Sequence, residues 1–372
     1  MKICFLTNEL SIKHGWGRYS ISIIKEVIKN PEIDFCVLTS NRAHNIFLPE
    51  AKLYPILPPL FQTRTEKIFS LIGNYKKIRK KLQNTDIVHS LIEPYAPIVY
   101  LAQIKKPFIV TLHGTYAVNP FKKRFLKKIY SASYKRARQI ICVSKFTQKE
   151  FLKKINLPQT LVINNGIDYN KFQDFDIILS QNAKNILSVG ALTKRKGYHI
   201  SIPAVAKVKR KYPNLKYWIV GSQENKSYFE ILKKIVAENH LEDNVFFLMN
   251  LSEKELINLY HQADIFLMTP VNDENIFEGF GLVYLEANAC GKPVIGAYNC
   301  GAEDAIKENY NGLLVPQNNI ELTSQAILKI FDNPELSAHM SQNGRKWAQN
   351  HDWNKVFASY LNLYRNVFNY YS

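Results

Sequence analysis

Glu278-Gly279-Phe280-Gly281-Leu282-Val283-Tyr284-Leu285-Glu286 sets two carboxylates with seven residues between them, around a glycine-bracketed turn. From about Gly281 to Cys290 the residues are mostly apolar and helix-forming. Gly291 stands just past the end and Pro293 beyond it, which together make a stop signal. The β-rich run Pro293-Val294-Ile295-Gly296 follows. Loop, helix and strand in that order are one repeat of a doubly wound parallel sheet. Glu278 falls in the loop, and Glu286 falls inside the helix among Leu282, Val283, Leu285 and Ala287. A carboxylate in such company costs about 2–7 kcal/mol unless something hydrogen-bonds it. A sugar diol offers two adjacent hydroxyl donors for that purpose. The N–H groups of Phe280, Gly281 and Leu282 at the helix start suit phosphate or sugar oxygens. On spacing alone, a half-exposed Glu286 and a helix-capping Glu278 stand level with that reading.

The same alternation runs along the whole chain. Strand-like runs in the first half are Lys2–Thr7, Asp34–Leu38, Asp86–His89, Phe108–Leu112, Gln139–Val143 and Thr160–Ile163, and a helix is expected over Arg18–Lys29. Asn170–Asn185 lacks strong periodicity and suits a connector. Strands resume with Asn185–Val189, Tyr217–Val220, Val245–Leu248, Ile265–Met268, Pro293–Gly296 and Gly312–Val315, with helices between them such as Tyr228–Asn239 and Glu253–Gln262. The pattern predicts an α/β protein of two Rossmann-like domains with doubly wound parallel sheets facing a cleft, ligands sitting at the carboxyl ends of the strands.

Composition bounds the function. A chain of 372 residues, 46% hydrophobic and 12% aromatic, buries two ordinary cores and is not disordered. The first residues read as a strand rather than a signal peptide, and no stretch approaches a membrane span. Cys4, Cys36, Cys142, Cys290 and Cys300 show no metal-ligand spacing, and an odd count argues against a disulfide framework, as in a reducing cytoplasm. The charge is lopsided. Residues 1–170 hold 28 Lys and Arg against 10 Asp and Glu, whereas residues 171–372 hold 21 of each, and no acid lies between Glu93 and Glu150.

The double-glutamate stretch continues into Ala287-Asn288-Ala289-Cys290-Gly291-Lys292-Pro293-Val294-Ile295, then Gly301-Ala302-Glu303-Asp304-Ala305-Ile306 and Asn311-Gly312-Leu313-Leu314-Val315. Upstream stand Val189-Gly190-Ala191-Leu192 with Arg195-Lys196-Gly197, and Asn165-Gly166-Ile167-Asp168 with Phe172. This ordered series resembles glycosyltransferase family 4, the retaining, nucleotide-sugar-dependent enzymes of the GT-B type, over most of the chain. The resemblance implies an acceptor- and membrane-side domain at residues 1–168 and a nucleotide-sugar-binding domain at 169–355. A last helix within Asn354–Tyr371 (about 356–372) is expected to cross back to the first domain.

By the same resemblance, Lys196 and Arg195 face the donor phosphates, Glu278 contacts the donor sugar and Glu286 holds the ribose hydroxyls. The base stacks near Asn250 and Leu251, and His113 at the end of a strand stands beside the transferred sugar as a neutral imidazole. Cationic groups and a helix amino end stabilise a leaving diphosphate without a metal. The family's arginine after the first glycine is here Ala191, a place that Arg195 can take over. Gly15 and Gly17, in Gly15-Trp16-Gly17-Arg18-Tyr19, follow the first strand and let backbone N–H groups approach a diphosphate or acceptor. Similar loops in some O-antigen mannosyltransferases tilt the expected sugar towards mannose or glucose. His89 is the rival histidine and reads as structural. Asp273-Glu274 reads as a solvated pair, and no metal or other cofactor is expected.

The basic first half points to the acceptor. Phe121–Arg138 holds eight Lys and Arg and no acid, including Lys122, Lys123, Arg124, Lys127 and Lys128, against an expected apolar helical face of Phe121, Phe125, Leu126, Ile129 and Tyr130. Thr65–Leu82 repeats the design, with Lys76, Lys77, Arg79, Lys80 and Lys81 against Ile68, Leu71, Ile72, Tyr75, Ile78 and Leu82. Basic amphipathic helices bind anionic membranes, each cation contributing about 1 kcal/mol. The expectation is a peripheral enzyme on the inner face of the cell membrane, acting on a lipid-linked, lipopolysaccharide or polysaccharide acceptor. The alternatives are a GT-B-type nucleotide-sugar epimerase and a non-catalytic basic module for anionic lipid or nucleic acid; no nucleic-acid-binding motif accompanies the charge.

Overall fold

The computed structural model of the chain describes residues 1–11, 15–41, 43, 48, 50–60, 64–173 and 183–371, with only the backbone for 64–71. The chain divides into two compact units, Met1–Asn165 with Trp353–Ser372, and Gly166–Asp352.

In the first unit the strands are β1 (Lys2–Leu6), β2 (Asp34–Ser40), β3 (Leu53–Leu57), β4 (Ile87–Ser90), β5 (Phe108–Leu112), β6 (Gln139–Cys142) and β7 (Thr160–Val162). They form one parallel sheet in the order β3-β2-β1-β4-β5-β6-β7. Both faces of such a sheet are covered, so a strand like Ile3-Cys4-Phe5-Leu6 is apolar throughout and fully buried. The chain steps outward from β1 to β3 and then returns to β4 on the other side of β1, which creates a switch point between β1 and β4. The sequence reading passes over β3. Its Pro55 cannot donate to a ladder, which an edge strand tolerates, and its pairing with β2 shifts register after Thr39.

The helix Trp353–Tyr371 belongs to this unit. Trp353, Phe357, Tyr360, Tyr364 and Val367 enter one core with Tyr19, Ile23 and Val27 of the Gly15–Ile28 helix and with Ile3 and Phe5 of β1. Polar tips inside that core satisfy one another. The Tyr19 hydroxyl is hydrogen-bonded to Tyr360 (2.9 Å) and Thr111 (3.1 Å), and His89 to Tyr364 (2.8 Å) and Thr111 (2.9 Å). His89 is therefore an internal residue, and burial brings its pKa down to about 3.

The second unit carries β8 (Asn185–Val189), β9 (Lys216–Val220), β10 (Val245–Leu248), β11 (Ile265–Leu267), β12 (Val294–Ala297) and β13 (Gly312–Val315). They are parallel in the order β10-β9-β8-β11-β12-β13, with the switch point between β8 and β11. Ile186, Tyr217, Ile219, Leu267 and Ile295 of the sheet pack with Ile202, Val205, Leu232 and Ile327 of the covering helices. Of the expected connector, Asn170–Phe172 is a 3-10 turn and residues 174–182 lie outside the described residues. All five cysteines are buried and free.

Candidate active site

In the second unit the candidate residues gather at the β8/β11 switch point. Arg195 and Lys196 lie in a 3-10 turn after β8, and Glu278 lies in the loop after β11. The two loops are tied by a backbone bond from Val271 N–H to the Arg195 carbonyl (2.9 Å), and Glu278 is anchored because its carbonyl accepts Gly301 N–H (2.8 Å). Both cations then reach one carboxylate oxygen. Lys196 Nζ donates to Glu278 Oε2 at 2.8 Å, and Arg195 Nη1 donates to the same atom. Burial pushes the Glu278 carboxyl up, but Arg195 and Lys196 outweigh it and bring it down to about 2. Burial presses Lys196 below the usual lysine range, opposed by Glu278. Two half-buried cations thus share one anion, which leaves the cluster with a net positive charge and an appetite for a second anion.

The helix after this loop spans Leu282–Ala289, with Cys290 as its C-cap. Gly281 caps its start at φ 86°, and a Cβ there would lie 2.5 Å from the Tyr284 ring, so only glycine fits. Phe280 is buried against this turn, and no side chain caps the helix, so its first N–H groups, Leu282 among them, are left for another acceptor. Glu286 is buried in the helix, and Tyr260 donates its hydroxyl to Glu286 Oε2 at 2.7 Å. That bond relieves part of the cost of burying a carboxylate. Asn250 and Leu251 follow β10 at the sheet's edge, two strands from β8, with Asn250 at φ 57° beside the half-exposed Met249. Ala191 is exposed and brings no charge, as its side chain dictates. Asp273 and Glu274 are exposed, and among the described residues no cluster of potential metal ligands is found.

In the first unit His113 follows β5. Its Nε2 donates to the Leu91 carbonyl at 2.8 Å, so the proton sits on Nε2 and Nδ1 keeps its lone pair. The ring packs edge-on to Tyr19, with centroids 4.5 Å apart, and burial lowers its pKa to about 4. Gly15 and Gly17 are not loop residues: the helix already begins at Gly15. A Cβ on Gly17 would lie 2.1 Å from the Ser11 carbonyl oxygen, so the glycine is required by backbone packing, while Gly15 is exposed and open.

A family profile described as "Glycosyl transferases group 1" matches residues 170–347, and another described as "Glycosyltransferase Family 4" matches residues 15–171. The chain belongs to glycosyltransferase family 4. It is similar to an uncharacterised glycosyltransferase of Methanocaldococcus jannaschii, at 29% identity over 80% of this chain and 81% of that one. It is also similar to the GDP-mannose-dependent alpha-(1-6)-phosphatidylinositol monomannoside mannosyltransferase of Mycolicibacterium smegmatis, at 29% identity. That match spans 45% of this chain and less than half of the relative, 44%. Among solved structures, an Anabaena protein in complex with UDP and glucose superposes with a TM-score of 0.81 at 19% identity, over 98% of this chain and 100% of that one. The fold is GT-B.

Among the described residues of this glycosyltransferase, no helix is long and apolar enough to cross a membrane. The basic segments differ from expectation in one respect. Asn119–Lys122 is a 3-10 turn with Pro120 in its first turn, and the helix runs only over Arg124–Arg136. Phe125, in the first turn of that helix, faces outward, 69% exposed, among the exposed Lys122, Lys123, Arg124, Lys127 and Lys128. The other helix spans Arg64–Gln83. It buries Ile78 and Leu82, exposes Lys76, Lys77 and Lys80, and leaves Ile72 69% exposed; the side chains of Ile68 and Leu71 lie outside the described residues.

Two residues were missed by sequence reasoning. Tyr260 gave no signal, because its approach to Glu286 is across the fold. Glu93 gave a faint one, as the last acid before the long acid-free stretch, directly after a strand. Its Oε1 accepts the His113 backbone N–H at 3.1 Å.

Proposed function

We propose that this glycosyltransferase moves a hexose, with retention, from a nucleotide-diphosphate sugar to a lipid-linked or saccharide acceptor of the lipopolysaccharide or polysaccharide kind, at an anionic membrane surface. The observation that carries the reading is the cluster of Arg195, Lys196 and Glu278 at a sheet's switch point, where two cations share one carboxylate. In the transfer the C1–O bond to the diphosphate breaks, and the negative charge gathers on the departing phosphate beside Lys196 and Arg195. The acceptor oxygen forms its bond to C1 on the same face and passes its proton to that phosphate oxygen. Glu278 contacts the sugar and aligns the two cations. Glu286, oriented by Tyr260, takes the ribose diol, and Asn250 with Leu251 flanks the base. His113 offers Nδ1 as an acceptor to a sugar hydroxyl. A metal has no role in this scheme.

The donor class is supported by the mannosyltransferase named for GDP-mannose and the structure solved with UDP and glucose. The membrane reading is supported by Phe125 and Ile72, two large apolar side chains 69% exposed, each near a run of exposed lysines. A thermal-shift screen over UDP-, GDP- and ADP-hexoses, followed by transfer assays with the stabilising donor, tests the chemistry; no shift with any of them sinks it. For the surface, changing Lys122, Lys123, Arg124, Lys127 and Lys128 to Gln should weaken flotation with anionic liposomes at least tenfold. Unchanged flotation would move the membrane surface elsewhere.

A further inference from the structure

Glu93 is buried to 0% exposure in a short 3-10 turn, Glu93–Tyr95, at the carboxyl end of β4. One oxygen receives the His113 backbone N–H at 3.1 Å, while Oε2 is buried without a hydrogen-bond partner. Two residues earlier, the Leu91 carbonyl holds the His113 ring by Nε2 at 2.8 Å. A single stretch of chain therefore grips His113 at backbone and ring together. Gly114, immediately after, sits at φ 123° and ψ −118°, so the chain turns sharply just past that grip.

A fully buried carboxylate met only by backbone N–H groups, with one oxygen unpartnered and no cation, is too costly to keep charged. Ala96–Leu101, Thr115–Val118 and β5 pack on the turn and contain no lysine, arginine or acid. The Arg124–Arg136 helix also reaches it, with the Tyr130 hydroxyl 3.5 Å from the Pro94 carbonyl, but its Arg124, Lys127, Lys128, Lys135 and Arg136 side chains are exposed. The titratable groups that sense Glu93 are Tyr19, Tyr130, Tyr134 and Cys142, together with neutral His113; none is a cation. Burial outweighs the backbone hydrogen bonds to the carboxyl and pushes Glu93 up to about 8.

We propose that Glu93 acts as an uncharged carboxylic acid, a positioning residue that fixes the backbone of His113 so that the imidazole Nδ1 meets a sugar hydroxyl. This rests on the reading of His113 as a sugar contact. The grip is made by a neutral acceptor oxygen, so an amide can replace it. Ionising Glu93 at alkaline pH draws water to the carboxylate and loosens the grip, and transfer falls without loss of donor binding.

The test compares Glu93→Gln, Glu93→Ala and His113→Ala. With Gln, transfer at pH 7 should stay within about threefold of the parent and the alkaline fall near pH 8 should vanish. With Ala, kcat should drop about tenfold or more while the donor KM stays within about twofold. A Gln variant as impaired as the Ala variant, or one that keeps the alkaline fall, overturns the proposal. NMR with labelled glutamate and histidine decides it independently of activity. The Glu93 carboxyl carbon should titrate well above the ordinary carboxylate range, and the His113 amide and ring nitrogens should shift in Glu93→Ala. A midpoint near 4.5, or an unmoved His113, overturns it. If His113→Ala transfers at the parent rate, the sugar-contact reading fails while these spectra still judge Glu93.

Discussion

Two glutamates, one in each unit, are buried to a similar degree and end in opposite states. Glu278, 8% exposed, meets Arg195 and Lys196 and is held down to about 2. Glu93, 0% exposed, meets a backbone N–H and tyrosines and is pushed up to about 8. Burial acts on both in the same direction; the presence or absence of cations decides the outcome. The contrast fits the division of labour proposed for the units. In that proposal the donor's phosphates meet the cations beside Glu278, and a sugar hydroxyl meets the neutral, well-aimed acceptor of His113.

The sharpest way to break this contrast is activity. Lys196→Ala should lower transfer about 100- to 1000-fold, the scale of removing one preorganised stabiliser of transition-state charge, as read from initial rates with a labelled nucleotide-sugar. A loss under tenfold would place the phosphates elsewhere. Stability separates the two glutamates next. Glu278→Gln leaves two cations without their anion and should cost about 3 kcal/mol in urea unfolding at pH 7, whereas Glu93→Gln should be neutral or stabilising. Equal losses would erase the distinction.

The pH dependence carries opposite signs. The folded pKa of Glu278 is depressed, so its contribution is full above its ordinary value of 4.5 and is lost as pH falls towards about 2. The folded pKa of Glu93 is raised, so the folded chain holds a proton that the unfolded chain releases. Stability therefore declines as pH rises from 4.5 to about 8 and is flat beyond. Each slope is at most about 1.4 kcal/mol per pH unit. Subtracting the curves of the two Gln variants from that of the parent isolates each, and slopes of the same sign would refute the assignment. The smallest effect is expected of Tyr260→Phe. Losing one hydrogen bond to Glu286, about 1 kcal/mol, should weaken donor affinity about fivefold in a calorimetric titration.

Much of this was legible in the sequence for a physical reason. Parallel strands buried on both faces announce themselves as apolar runs, and among the described residues twelve of the thirteen strands coincide with such a run to within a residue or two. The exception, β3, holds a proline and lies at an edge. The Glu278 loop, the helix after it and Lys196 are local in sequence, so their motifs show. What did not show were meetings between distant segments: Tyr260 with Glu286, Glu93 with His113, and the shared grip of Arg195 and Lys196 on one Glu278 oxygen. Periodicity also misplaced Phe125, which is exposed in the first turn of the Arg124–Arg136 helix, and put Phe121 in that helix although it lies in the short turn before it.

The tyrosine and histidine network of the first unit has a consequence for biosynthesis. Tyr19 and Tyr360 are 341 residues apart, and the core around β1 takes Trp353, Phe357, Tyr360, Tyr364 and Val367 from the last helix. On the ribosome, this sheet waits for residues translated long after its own strands. Until they emerge, His89, Thr111 and Tyr19 keep polar tips and an apolar cleft open to solvent, a natural holding point for a chaperone.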